Sequence, residues 1–398
     1  MSEIKALIIS DLHFGCHAYF EEFAPKPNNL LNVPAKKFFI EMLNELNPEY
    51  LIISGDLTSK GSPAEFDIFQ EFINDILIRT KIDVNKIITC IGNHDLDWSI
   101  SSISDHQTYH KLSTKTASYS IDNKMFNFDH KGTDEYCGIK LFENAIYFIL
   151  NSASFSSKLQ NPKGGELGDK QLDWLTRMGD QYITDSRFKI LVLHHHPYPY
   201  SYPVTHKDVS LLKESGELMD LCGKYGISLI CHGHRHHPRV HIAHSTGSNS
   251  VALISAGSFS VNASERHLGT IPNMLHLVRI NGRSITLYNY GLDHMNGWSL
   301  YTQVHDAVPV DPVMFIDRYY DSQAISLAAD SLISEYTSSG RNKIELPRWC
   351  DLPAALKSIR TLDLSKILSE KLKLSGYELI SKIESHNQLP IKAIKEDV

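Results

Sequence analysis

The sequence predicts a layered α/β fold, and three observations carry that reading. Short apolar runs of strand length alternate with segments whose apolar residues recur at helical spacing. Five of those runs, at 6–9, 50–53, 86–91, 189–193 and 227–231, each end beside Asp, Asn or His residues. At 398 residues and 42% hydrophobic content, the chain can bury a large core and has room for more than one domain. Strand ends that face one edge of a sheet are where α/β proteins build their sites. The five ends therefore point to one metal site assembled from across the chain.

Taken in order, the first run leads into Asp11 and His13. Residues 34–46 have helical apolar spacing and lie between the first two strands. The second run ends at Gly55-Asp56. Ser62, Pro63 and Glu65 then form a helix start, with a cap, a proline at the first position and an early acid. That helix continues through Phe66, Phe69, Phe72 and Ile73 towards Leu77. The third run precedes Gly92-Asn93-His94-Asp95. A glycine-rich loop at 164–168 leads into an amphipathic helix carrying Gln171, Leu172, Trp174 and Leu175, capped by Asp169 or a residue near it. The fourth run precedes His194, His195, His196 and Pro197, and the fifth precedes Gly233-His234-Arg235-His236. From 240 to 290 the runs are short and β-like, with Asn281-Gly282 as a hairpin turn. Residues 304–314, with Pro309 and Pro312, read as a linker or extended arm. Beyond them Ile325, Ala328, Ala329, Leu332, Ile333 and Tyr336 fall at helical spacing. Leu364, Ile367, Leu368 and Leu372 form a second helical stretch, with Asp363 as a plausible cap.

The ligand spacing has a physical reason. In an extended segment, residues i and i+2 point to the same side. Asp11 with His13, and His234 with His236, can therefore each aim two ligands at one point while Leu12 and Arg235 face away. His232 with His234 has the same spacing, so a shifted register stays open. Gly55, Gly92 and Gly233 stand where the backbone must turn sharply, which glycine tolerates. Imidazole, carboxylate and amide ligands without thiolate suit Mn, Fe or Zn better than a structural Cys-zinc site. Asp56 can serve two cations at once through its two oxygens.

The five stations together closely resemble the calcineurin-like metallophosphoesterase superfamily: Asp11-Leu12-His13, Gly55-Asp56, Gly92-Asn93-His94-Asp95, a His before Pro197, and Gly233-His234-Arg235-His236. The resemblance covers roughly residues 4 to 290. It implies a two-sheet β-sandwich flanked by helices, with the strands of 240–290 extending the second sheet. It implies a catalytic domain at 1–303, followed at 304–398 by the linker and a mainly helical extension. It also implies roles. One ion would be held by Asp11, His13, Asp56 and His236, and a second by Asp56, Asn93, His234 and His195, with His194 as the alternative to His195. His94 would be the catalytic histidine that is not a ligand, and Asp95 its orienting carboxylate. Two such ions clamp an in-line displacement at phosphorus and lower the pKa of a water held between them.

The activity this implies is phosphodiester hydrolysis. Gly55-Asp56-Leu57-Thr58, followed by Gly61, Pro63 and Glu65, looks most like the cyclic-nucleotide and glycerophosphodiester branch. A nuclease is the alternative, then a phosphomonoesterase, and last a catalytically inactive scaffold. The His-x-His-x-Asp-His string of metallo-β-lactamase hydrolases is absent. A net charge of −7 argues against a basic coat for nucleic acid. Six scattered cysteines without a CxxC pair read as reduced thiols of a cytoplasmic protein. No run reaches the ~18 apolar residues of a membrane span. Cys16 and His17 are candidates for the pocket mouth, and the Tyr- and Pro-rich segment 197–206 is either a platform for a nucleobase or a stiff loop packed on its own domain. His237, His241 and His244 read as solvated, and His106 and His110 as surface residues. The extension is either a helical cover or a module for dimerisation or partner docking.

Overall fold

The structure is a computed structural model that describes residues 3–24, 31–96, 125–133, 136–156, 164–199, 208, 210–244, 250–262, 271–282, 284–293, 295–302, 310–316, 322–359, 361–385, 387 and 389–395. Its strands form two seven-stranded sheets and a three-stranded one. In the first sheet, β1 (Ile4–Ile9), β2 (Tyr50–Ile53) and β3 (Ile87–Thr89) run parallel. In the second, β4 (His130–Lys131) and β5 (Gly138–Leu141) lead antiparallel into β6 (Ala145–Ile149). From there β6, β7 (Phe188–Val192), β8 (Ile227–His232) and β10 (Ser250–Ser255) are parallel, and β9 (Arg239–His244) closes the edge antiparallel.

Side-chain alternation explains why these strands read as unbroken apolar runs. Ala6, Ile8, Tyr50 and Ile52 face Tyr147, Ile149, Ile190, Val192, Leu229 and Cys231 across the sandwich interior. Leu7, Ile9, Leu51 and Ile53 point the other way, onto Phe39 of helix α1 (Ala35–Leu46) and Phe69, Phe72 and Ile73 of α2 (Pro63–Arg79). On the far side, Ile146, Phe148 and Leu191 meet Leu172, Trp174 and Leu175 of α3 (Gly168–Gln181) and Leu218 of α4 (Ser215–Tyr225). The result is a helix–sheet–sheet–helix stack, as the resemblance implied.

Helix α2 opens on a Ser62/Glu65 capping box with Pro63 in its first turn. Of the residues expected to cap helix α3, Asp169 lies inside it and does not cap it. Glu214, distant in sequence, accepts hydrogen bonds from the Leu167 and Gly168 amides at 3.1 Å each. The strands of 240–290 also divide differently. Only β9 and β10 join the second sheet. β11 (Met274–Asn281) pairs antiparallel with β1, and β12 (Ser284–Asp293) and β13 (Gly297–Leu300) follow it in the first sheet. The cause is that β11 is apolar on both faces: Met274, Val278 and Ile280 line the interior, while Leu275 and Leu277 face the helical side. A place beside β1 covers both.

The C-terminal extension contains α5 (Ser322–Thr337), α6 (Ala354–Lys357) and α7 (Thr361–Leu374). It also contains an antiparallel sheet of β15 (Lys343–Leu346), β17 (Ile391–Lys395) and β16 (Tyr377–Leu379), which helical spacing did not foretell. Asp363 lies within the first turn of α7 and is not its cap. The segment read as a linker ends as β14 (Val313–Ile316), paired with β12. Met314 and Ile316 enter the sandwich interior, while Val313 and Phe315 pack on the extension.

Candidate metal centre

Strands β1, β2, β3, β7 and β8 end at one edge, and the residues just beyond them meet there. Backbone bonds lace the loops together: the Asp11 amide donates to the Gly55 carbonyl at 3.1 Å and the His13 amide to the Asp56 carbonyl at 2.9 Å. The Asp11 carboxylate accepts from the His234 amide at 3.0 and 3.1 Å. Asp56 Oδ1 accepts from the His94 amide at 2.8 Å.

The local conformation differs from the extended one expected. Asp11, His13, Asp56, His234 and His236 all have positive φ, between 47° and 74°. Among the described residues, the one other non-glycine in that region is Asn47, at the C-terminus of α1. Left-handed turns, and not strand alternation, aim these ligands, and such strain persists only where surrounding contacts hold it. The glycine reading divides likewise. Gly55 takes φ 90°, but Gly92 and Gly233 are not left-handed. Gly92 is there for close approach: a Cβ on it would lie 2.2 Å from Asp56 Oδ1.

Two groups of candidate ligands result. Asp11, His13, Asp56 and His236 each offer an atom within 4.8 Å of the others, and so do Asp56, His194 and His234. Asp56 belongs to both, its Oδ2 lying 3.2 Å from His13 Nε2 and 3.1 Å from His194 Nε2. His236 Nε2 is 3.2 Å from His13 Nε2 and 3.4 Å from Asp11 Oδ1. Lone pairs this close repel unless a proton or cation lies among them, so the donor set fits a cation. Electrostatics agree. Burial raises the carboxyl pKa values of Asp11 and Asp56, but the surrounding imidazoles outweigh it and hold both below the usual range. Burial lowers His13 to about 4 and pushes His234 down as well, leaving both as neutral donors.

Of the His run, His194, given above as the alternative to His195, is the one that falls in the group with Asp56 and His234. His194 Nδ1 donates to the Ser54 carbonyl at 2.8 Å, which leaves Nε2 turned to Asp56 and, at 3.3 Å, to His234 Nδ1. That is how a metal-ligating histidine is usually fixed. His195 Nδ1 instead meets Ser152 Oγ at 2.9 Å. Its Nε2 is buried without a hydrogen-bond partner, with its ring 4.4 Å from that of His234. His232, the alternative to His236, stays buried in β8 and belongs to neither group. Asn93 is buried at the start of the turn Asn93–Asp95.

Asp95 does not hold the His94 ring. Its Oδ2 accepts from the Gly92 amide and its Oδ1 from the Thr58 amide, both at 2.9 Å. The ring is held by the Ser59 carbonyl, 2.9 Å from Nδ1. Burial, then Asp56, raises the Asp95 carboxyl to about 7. Arg235 turns away from the site as expected, but onto residues the sequence did not mark: its Nη1 donates to Asp208 and to Ser210 Oγ at 3.0 Å. His196 Nε2 lies 3.0 Å from the same Asp208. His237 is buried, contrary to the solvated reading. Tyr198 packs on His241 at 4.0 Å between ring centroids, which agrees with a loop packed on its own domain at that point. Residues 200–206 of that loop, with His106 and His110, lie outside the described residues.

Comparisons with known proteins follow the same lines. The family model for calcineurin-like phosphoesterases matches residues 4–238, from β1 to just past His236. A probable cyclic nucleotide phosphodiesterase of Synechococcus sp. is 24% identical over 195 residues, covering 49% of this chain and 60% of its own length. A probable glycerophosphodiester phosphodiesterase, GpdQ, of Arcobacter nitrofigilis is 24% identical over 214 residues, covering 53% of this chain and 63% of its own. The chain thus spans about three fifths of the length of these curated relatives. A purple acid phosphatase from yellow lupin (Lupinus luteus) seeds has a similar fold, with TM-score 0.52 and 13% identity over 81% of this chain and 55% of that one.

Proposed function

The chain belongs to the calcineurin-like phosphoesterase family, and from that premise we propose that it is a dinuclear metal-dependent phosphoesterase that hydrolyses phosphodiesters. The observation that carries this is the pair of ligand groups sharing Asp56, with His94 beside them. Asp11, His13, Asp56 and His236 would hold one ion, and Asp56, Asn93, His194 and His234 the other. Manganese, iron and zinc all suit this N/O set. When bound, such ions polarise phosphoryl oxygens and supply a nucleophilic water of lowered pKa.

The chain's own residues do the remaining work. A carbonyl only accepts, so the bond to Ser59 fixes the proton on His94 Nδ1 and leaves Nε2 to face the site. In its imidazolium form that nitrogen gives a proton to the departing alkoxide. Ser59 and Thr58 keep the ring in place, because Thr58 Oγ1 lies 3.1 Å from the His94 carbonyl. Small diesters are the preferred class, since the curated relatives are named for cyclic nucleotides and glycerophosphodiesters.

The test incubates Mn²⁺-loaded protein with 3′,5′- and 2′,3′-cyclic nucleotides, glycerophosphodiesters, and single- and double-stranded DNA. Products are read by mass spectrometry against an Asp56→Ala blank. Selective opening of a small diester supports the reading. Selective DNA cleavage makes the protein a nuclease, and no turnover of any ester overturns the proposal.

A further inference from the structure

Histidine 17 stands outside both ligand groups, yet it completes a third cluster. One ring nitrogen each of His13, His17 and His94 lie within 4.8 Å of one another. The ring centroids of His17 are 5.8 Å from His13 and 5.7 Å from His94. His13 is committed to the carboxylate of Asp56, at 3.2 Å from Nε2. His94 and His17 are therefore two imidazoles beside the ligand groups that neither group uses.

The backbone around His17 is pinned on both sides. Its amide donates to Ser59 Oγ at 3.0 Å, and its carbonyl accepts from the Asn262 amide at 3.0 Å. Ser59 Oγ in turn donates to the His13 carbonyl at 2.7 Å, and the Ser59 carbonyl accepts from His94 Nδ1 at 2.9 Å. One buried serine thus fixes the relative placement of all three histidines. The neighbouring Ala18 is buried in a bridge to Val261, while His17 itself stays half-buried. A side chain set on so rigid a stem, and left partly open, suits contact with a ligand from solvent.

We propose that His17 is a substrate-contacting residue that clamps one oxygen of the phosphate ester together with His94. The spacing permits it. Two donors no more than 4.8 Å apart can both reach a single oxygen at about 2.8 Å. A phosphate ester held at the ligand groups carries further oxygens that no ion occupies. Two imidazoles converging on one of them give a directional site for the phosphoryl or leaving oxygen. The proposal rests on the phosphoesterase reading, and the experiment separates the two.

His17→Phe and His17→Gln are compared with the wild type in Mn²⁺-loaded form. Three quantities are measured: metal content by elemental analysis, inorganic phosphate affinity by calorimetry, and kcat and KM on a small diester. The expected result is unchanged metal content, phosphate binding about tenfold weaker in His17→Phe, and partial rescue by His17→Gln, whose amide still donates. Equal phosphate affinity in all three proteins overturns the clamp. Loss of metal in both variants overturns it too, because His17 would then serve the ligand groups. If the wild type hydrolyses no ester but binds phosphate more tightly than His17→Phe, the phosphoesterase reading fails and the clamp stands.

Discussion

At the residue scale, each histidine's role is decided by what occupies its second ring nitrogen. His94 gives Nδ1 to Ser59 and His194 gives Nδ1 to Ser54, both backbone carbonyls. His194 Nε2 then meets the Asp56 carboxylate at 3.1 Å and joins a ligand group with it, whereas His94 belongs to neither group that shares Asp56. From this difference His94→Ala is expected to keep its full metal content and lose turnover by about 10²–10⁴-fold on esters with poor leaving groups. Esters with nitrophenolate leaving groups should suffer less. Wild-type turnover on an alkyl diester in the variant would sink the acid role. His194→Ala should lose about half its bound metal, while His195→Ala should keep it. Elemental analysis of the two variants decides between His195, the choice the resemblance implied, and its neighbour His194. The sequence could name the residue types but not this choice, because it depends on which carbonyl each ring meets. Asp95 shows the same limit: the resemblance implied a partner for His94, and the carboxylate accepts from the Gly92 and Thr58 amides.

At the element scale, the strands that feed the site were legible to within a residue or two at most ends, because buried parallel strands are short apolar runs bounded by polar loops. Tyr50–Ile53 came out with its expected bounds, and Phe188–Val192 one residue early. The placement of β11 was not legible, since its two apolar faces do not say which sheet will cover them. Nor was the small C-terminal sheet, whose strands of three to five residues give too short a period to count. The start of α2 was legible because a capping box is local chemistry. Its consequence reaches the site. Glu65 Oε2 accepts from the Lys60 amide at 2.9 Å and the Ser62 amide at 3.2 Å, closing the loop that follows Asp56. Glu65 is buried, so Glu65→Ala leaves two amides short of an acceptor. A destabilisation of about 1–3 kcal/mol is expected from urea unfolding. A change within error would show that the loop is held elsewhere.

At the scale of the whole molecule, the two sheets are joined by a buried cation and by an apolar interior, and each gives a measurable consequence. Lys140 on β5 reaches across to the edge strand of the other sheet, donating to the Ile87 carbonyl at 2.9 Å. Burial depresses its pKa to about 8 from the ordinary 10.5. Between those values the unfolded chain binds the proton more than the folded one, so this group makes stability rise with pH there. Lys140→Met should flatten that rise, and parallel slopes in the two proteins would refute the assignment. The interior bears on the boundary at residue 303. Val310, Met314 and Ile316 lie beyond it yet belong to the sandwich interior. Each buried side chain of this kind contributes about 1.5–3 kcal/mol, and together they approach the ~5–15 kcal/mol by which a domain is stable. Removing them also uncovers β12, to which β14 is paired. Beyond them, Asp311 accepts from the amide and hydroxyl of Thr361, at the start of α7, at 2.6 and 2.8 Å. Asn289 of β12 reaches the Asp311 carbonyl in turn, and His276 Nδ1 lies 2.6 Å from Asn289 Oδ1. The extension is thus built onto the sheet that carries Asp11 and Asp56. A 1–303 chain is expected to aggregate or melt well below the full chain. Circular dichroism and gel filtration of the two would show it, and a truncated chain with the parent's melting temperature and metal content would establish the extension as a separable domain.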